Sequence, residues 1–221
     1  MPKHIIVTGA NGNMGSAIVK KFVSTDYHVI GVDHSGSHLG FAEGHSNFEL
    51  HQVSLDNEES ALEFFQEISS LKGNIDAALL LVGGFAMGDI ETTDVVKLQS
   101  MFKLNFETAY NSARPLFQHM MSRNYGRIVF VGAKAALDQV AGKDMIAYAL
   151  SKSLLFKLAD ILNAAARGKN VTVNVIVPGT LDTALNRQNM PGADTSGWTK
   201  PEEIADLCFG ICNGGGKVLV S

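Results

Sequence analysis

Tyr148 and Lys152, one helical turn apart in the run Tyr148-Ala149-Leu150-Ser151-Lys152, are the side chains of this 221-residue sequence best suited to move a proton. An i, i+4 spacing on a helix puts both on one face, with Cβ atoms about 5–6 Å apart. A free phenol titrates near pH ~10 and exchanges protons poorly at neutrality. An ammonium beside it stabilises the phenolate and draws the pKa toward working pH, where general acid–base catalysis is effective. By itself such a pair is common on helix surfaces. A second motif far upstream gives it weight.

That motif is Thr8-Gly9-Ala10-Asn11-Gly12-Asn13-Met14-Gly15, placed between an apolar strand-like run and a helix-like run. Glycines at 9, 12 and 15 allow a tight turn, a close approach to a pyrophosphate and packing of the following helix. The N–H groups at the start of that helix, at Asn13, Met14 and Gly15, then face the phosphates. The spacing differs from G-x-G-x-x-G, so position carries the argument. Asp33 ends the next strand, 33 − 9 = 24 residues after Gly9. An acid there accepts hydrogen bonds from an adenosine ribose diol and repels a 2′-phosphate, which predicts NAD(H) in preference to NADP(H). Asp56, just past the third strand, reads either as a partner for the adenine amino group or as a helix N-cap.

These residues need a scaffold, and the hydrophobic pattern supplies one. Ile5–Val7, Val29–Val32, Phe48–Val53, Ile75–Val82, Arg127–Val131, Val171–Val177 and Lys217–Val220 read as strands. Several are apolar almost throughout, as strands covered on both faces are. Helical periodicity marks Met14–Ser24, Asn57–Leu71, Thr93–Arg123 with a bend or break near Ser100, and Ile146–Arg167. The Gly-rich text between Asp33 and Asn47 is too short for a full crossover helix, so that helix should be lost or reduced to a turn. The alternation predicts one α/β domain over residues 1–221, a Rossmann-type doubly wound sheet of about seven parallel strands with helices on both faces.

Composition agrees. Hydrophobic residues make up 46% and charged residues 18%, with 22 glycines and 5 prolines, a globular profile. A net charge of −4 lacks the basic footprint of nucleic-acid binding. No apolar run approaches the ~18 residues of a membrane span, and the first strand begins at Lys3, leaving no room for a signal peptide. A cytoplasmic protein is expected. Cys208 and Cys212 read as apolar fillers. The histidines His4, His28, His34, His38, His45, His51 and His119 show no metal-ligand spacing and read as surface or strand-edge residues.

Taken together, the sequence resembles the short-chain dehydrogenase/reductase family along nearly its whole length. The matching residues are the Thr8–Gly15 loop, Asp33, Asp56, the Leu81-Val82-Gly83-Gly84 turn, Asn105, Tyr148 with Lys152, and Pro178-Gly179-Thr180-Leu181-Asp182-Thr183. The resemblance implies that Tyr148 is the catalytic acid or base, that Lys152 also binds the nicotinamide ribose, and that Asn105 holds a water of a proton relay. It places Gly83 and Gly84 beside the cofactor, and Pro178, Gly179 and Thr183 at its nicotinamide end. It also implies a homodimer, or a tetramer, built on the two long helices.

The serine that the family places 13 to 15 residues before the tyrosine is missing: positions 133 to 135 read Ala-Lys-Ala. Losing such a donor costs ketone reduction something like ~10²–10³ in rate. The branch of the family that reduces quinonoid dihydropterins shares this departure. Gly132-Ala133-Lys134-Ala135-Ala136-Leu137-Asp138, Thr180–Thr183 with Asn186-Arg187, Met190-Pro191, Ala193-Asp194, Ser196 and Trp198-Thr199 resemble it, although Asn105 departs from its pattern. The substrate implied is a small flat heterocycle reduced at a ring C=N, with no carbonyl oxyanion to hold. Phe85 and Trp198, on loops at the substrate side, could stack on it but read first as packing; Met87, Met145 and Met190 could line the same pocket but read rather as core filling. Two alternatives stay open: a reductase of another small carbonyl, alcohol or quinone, and a non-catalytic NAD(H)-binding sensor.

Overall fold

Alternate residues of the central strands are apolar on both sides, so each strand has two faces to bury. In the computed structural model, which describes residues 2–36, 39–42 and 44–214, they do so within one parallel sheet. The strands are β1 (Lys3–Thr8), β2 (Tyr27–Asp33), β3 (Phe48–Gln52), β4 (Ala77–Leu80), β5 (Tyr125–Val131) and β6 (Asn170–Ile176). Their order is β3-β2-β1-β4-β5-β6, with every neighbouring pair parallel. The sheet has six strands among the described residues; the seventh expected, Lys217–Val220, lies outside them.

Ile5 and Val7 point to one face and Ile6 to the other. The first face packs on α1 (Asn13–Val23) and α8 (Pro201–Cys212) through Ile18, Phe22, Ile204 and Cys208. The second packs on α2 (Glu58–Lys72), α4 (Thr108–Arg123) and α6 (Ile146–Ala165) through Phe65, Leu116 and Leu155. Cys208 and Cys212 are buried free thiols of that first core, and burial pushes the Cys208 thiol up to about 12. Among the described residues no helix lies between β2 and β3, where the Gly-rich text predicts a helix lost or reduced to a turn.

Two expected boundaries move. The fourth strand pairs only over Ala77–Leu80; the next N–H, that of Leu81, donates to the Thr8 hydroxyl at 3.0 Å rather than to a backbone carbonyl. Near Ser100, where a bend or break is expected, the long helix changes geometry without ending. It runs as α3 (Val95–Phe102), a π-helical segment (Lys103–Glu107) and then α4. A π segment inserts a residue into the helical ladder and is frequent at functional sites; this one carries Asn105, which is fully buried. A short α5 (Gln139–Gly142) precedes α6, and α7 (Ala184–Asn189) lies between β6 and α8.

Candidate active site

Strand order reverses direction between β1 and β4, and in open α/β sheets a crevice forms at that switch, beyond the strands' C-terminal ends. The glycine loop sits there. Gly9 adopts φ +67° and its N–H donates to the Val32 carbonyl at 2.8 Å. A Cβ on Gly15 would run into the Gly9 carbonyl and the Ala10 backbone, so only glycine lets α1 pack under the loop. The N-cap of α1 is Gly12, with no capping side chain, and the first N–H groups of a helix attract an anion.

A cavity of about 770 Å³ opens beside this loop and is lined by Gly9, Gly12, Asp33, Asp56 and Gly83, five of the residues expected around a cofactor. Asp33 is only 6% exposed. Its carboxylate accepts from the Asn11 N–H at 3.0 Å and from the Ser35 N–H and hydroxyl at 3.3 Å each, and His34 Nδ1 lies 3.0 Å away. Asp56 pairs with Lys103 at 3.1 Å on the same cavity. It does not cap α2; Asn57 does, accepting from the Ser60 N–H at 2.9 Å.

The tyrosine–lysine pair stands on α6. Lys152 is 4% exposed and its ammonium donates to the Val131 carbonyl at 2.9 Å. Burial lowers its pKa to about 8. Burial pushes the Tyr148 phenol above its ordinary value by desolvating the phenolate, where its spacing to Lys152 predicts a shift downward. The Tyr148 ring meets the edge of Phe85 at 5.0 Å between centroids and 75° between planes.

Asn105 ties this turn to the loop after β4. Its side-chain oxygen accepts from the Gly84 N–H at 2.8 Å, and its amide donates to the Gly84 carbonyl at 3.1 Å and to Ser151 Oγ at 3.0 Å. Ser151 donates in turn to the Tyr148 carbonyl at 2.8 Å. A Cβ on Gly83 would lie 2.6 Å from Asn105 Oδ1 and 2.9 Å from Lys152 Nζ. Pro178 and Gly179 line a second cavity of about 260 Å³ with Thr199 and Glu203. Thr183 caps α7, its Oγ1 accepting from the Asn186 N–H at 3.1 Å.

Asn13, Met14, Gly15, Gly84, Tyr148, Lys152 and Thr183 do not line the large cavity. Four residues join the site without a role read from sequence: Asn11, His34 and Lys103 on the cavity, and Ser151 behind the tyrosine. Asn11 and Ser151 lie inside the two motifs and were within reach of a closer reading. Lys103 was not, since the π segment and the β3–α2 loop meet only in the fold. Met87 and Met190 are 56% and 39% exposed, so they do not fill the core. His4 is buried rather than at the surface, hydrogen-bonded to Asn74 at 3.2 Å. No cluster of metal-ligating side chains occurs among the described residues, and no described helix is long and apolar enough to cross a membrane.

With this geometry in place, the relatives can be compared. The sequence profile of the short chain dehydrogenase family matches residues 3–193. The dihydropteridine reductase of Dictyostelium discoideum is 28% identical over 212 residues, 95% of this chain and 87% of that protein. The 3-oxoacyl-acyl-carrier-protein reductase FabG of Buchnera aphidicola is 27% identical over 182 residues, 80% of this chain and 72% of that protein. The solved structure of ElxO with NADP bound superposes with a TM-score of 0.88 at 18% identity, covering 100% of this chain and 95% of ElxO. An oxidoreductase of the same family from Burkholderia thailandensis superposes with a TM-score of 0.82 at 21% identity, covering 96% and 86%.

A doubly wound sheet with a glycine loop at its switch point defines the class as α/β proteins built to bind a nucleotide. The chain belongs to the short chain dehydrogenase family and, with it, is an NAD(P)-dependent oxidoreductase.

Proposed function

We propose that this chain is an NADH-dependent reductase of quinonoid dihydropterins, with Tyr148 as its proton donor. The observation that carries the reading is the segment facing the tyrosine helix. Where a ketone reductase of this family has a hydroxyl, Ala133 and Ala135 lie buried, 6% and 9% exposed, flanking Lys134 at the start of a short 3₁₀ turn. A site with a protonated phenol, an aromatic edge and no serine donor suits a flat ring reduced at C=N better than a carbonyl that builds an oxyanion. The similarity to the Dictyostelium reductase supports the same reading.

The residues divide the work. Asn13, Met14 and Gly15, with Gly9 and Gly12, hold the diphosphate at the uncapped start of α1. The Asp33 carboxylate holds the adenosine ribose diol, which favours NADH over NADPH, and Asp56 accepts from the adenine amino group. Pro178, Gly179 and Thr183 orient the nicotinamide end, and Gly83 and Gly84 leave room beside it. When bound, the reduced nicotinamide supplies the hydride. Tyr148 gives the proton to the reduced ring nitrogen, and Lys152 holds the nicotinamide ribose and steadies the phenolate left behind. Asn105 fixes the relay that returns a proton to that phenolate. Phe85, 59% exposed beside Tyr148, is an aromatic surface on which the flat substrate can stack.

We place the protein in the cytoplasm as a homodimer. Tyr110 on α4 with Leu150 and Ile161 on α6, 42%, 47% and 54% exposed, give the long helices an apolar face suited to a second copy. The test of function is a steady-state assay with NADH and quinonoid dihydropterin generated by oxidation of the tetrahydro form, run beside a panel of ketones and quinones. Turnover well above the uncatalysed rate is expected for the pterin alone. Turnover confined to ketones would replace this reading with that of a carbonyl reductase, and none with any substrate would favour a sensor.

A further inference from the structure

The cavity end that holds Asp33 carries a second titratable group whose geometry gives it a task. His34 Nδ1 lies 3.0 Å from Asp33 Oδ1, yet the imidazole is 90% exposed where the carboxylate is 6% exposed. Both residues line the same cavity, with Ser35. The backbone under the imidazole is pinned, since Gln52 Nε2 donates to the His34 carbonyl at 2.8 Å, while Asn11 Nδ2 donates to the Ser35 carbonyl at 2.8 Å. The ring itself projects into solvent from this fixed backbone. Among the described residues lining this cavity the other charges are Asp56 and Lys103, paired with each other at 3.1 Å.

We propose that His34 makes the choice between NADH and NADPH depend on pH, an inference that rests on Asp33 holding the adenosine ribose. With a neutral imidazole, Asp33 presents an uncompensated negative charge that accepts from a ribose diol and repels a 2′-phosphate. Histidine is the side chain whose charge changes in the range of about pH 5 to 8. As an imidazolium, His34 cancels the charge of Asp33, and its second N–H is available to a phosphate oxygen. A 2′-phosphorylated dinucleotide, excluded at higher pH, is then admitted, while the diol of NADH keeps its acceptor.

The test is a calorimetric titration of NAD⁺ and NADP⁺ into the wild-type protein, His34→Gln and Asp33→Asn at about pH 8 and about pH 6. The 2′-phosphate has its own second ionisation near pH ~6, common to all three proteins, so wild type is read against His34→Gln. In wild type the ratio of the NADP⁺ to the NAD⁺ dissociation constant should fall about tenfold on acidification, the scale of one charge-assisted hydrogen bond. In His34→Gln it should fall about threefold or less. Equal falls in the two proteins overturn the proposal, and if Asp33→Asn still shifts the ratio the ribose reading survives that failure. A ratio untouched by Asp33→Asn removes the ribose reading and this proposal with it.

Discussion

The Lys152 ammonium donates to the Val131 carbonyl at 2.9 Å, at the C-terminal end of β5, so the charge that would tune Tyr148 is itself held by the sheet. Burial lowers that lysine from 10.5 to about 8. The free protein should therefore lose this charge as pH rises through 8. Measured as kcat/KM for NADH, which reports groups of the free protein, activity should be level below pH 8 and decline above it. The stability sign is opposite. Between pH 8 and 10.5 the unfolded chain holds the proton more tightly than the folded one, so folding gains from this group as pH climbs. Thermal denaturation of wild type against Lys152→Met should show the difference moving in favour of wild type across that window.

Asn105 uses both amide hydrogens and its oxygen on Gly84 and Ser151, all within 3.1 Å. Truncation to alanine removes the partners of the half-buried Gly84 N–H and carbonyl and leaves the buried Ser151 hydroxyl only its bond to the Tyr148 carbonyl. At about 1–3 kcal/mol for an unsatisfied buried group, Asn105→Ala should lower Tm by several degrees in calorimetry. Ser151→Ala removes one partner of the amide and should cost about 1 kcal/mol. Equal Tm values for wild type and Asn105→Ala would show that this clamp contributes nothing.

Gly83 is a packing requirement rather than a turn requirement. A methyl group there would stand 2.6 Å from Asn105 Oδ1 and 2.9 Å from Lys152 Nζ. Gly83→Ala should destabilise by about 1–3 kcal/mol, as overpacking does, and should reduce turnover by displacing the ammonium. Gly40, whose Cβ would meet nothing within 4 Å, is the control: Gly40→Ala should leave turnover unchanged.

Asp33 tests cofactor choice. Asp33→Ala should lower kcat/KM for NADH by about tenfold or more, the loss of a hydrogen bond to a charged group, and bring the NADPH value closer to it. An unaltered NADH-to-NADPH ratio would contradict the ribose role.

How much of this was readable in advance follows from where each contact lies along the chain. The sheet was legible because Ile5, Ile6 and Val7 are all apolar, the mark of a strand buried on both faces, and the Gly-rich stretch after Asp33 announced its missing helix. The glycine loop and Tyr148–Lys152 were legible because each is a local spacing. The π segment was legible only as a bend or break near Ser100: Phe102, Phe106 and Tyr110 keep a helical rhythm through it, so the pattern does not show the kind of irregularity. The upward shift of Tyr148 was not legible, since residue spacing does not show how deeply the fold buries the phenol. The Asp56–Lys103 pair joins elements that only the fold brings together.

The most direct test of the account is Tyr148→Phe, assayed with NADH and quinonoid dihydropterin and titrated separately with NADH. The ring and its contact with Phe85 remain, and only the hydroxyl is lost. The account predicts turnover reduced by about 10²–10⁴, the usual worth of a positioned proton donor, with NADH affinity within about threefold of wild type, less than one neutral hydrogen bond is worth. Turnover equal to that of wild type, with the same NADH affinity, would contradict it.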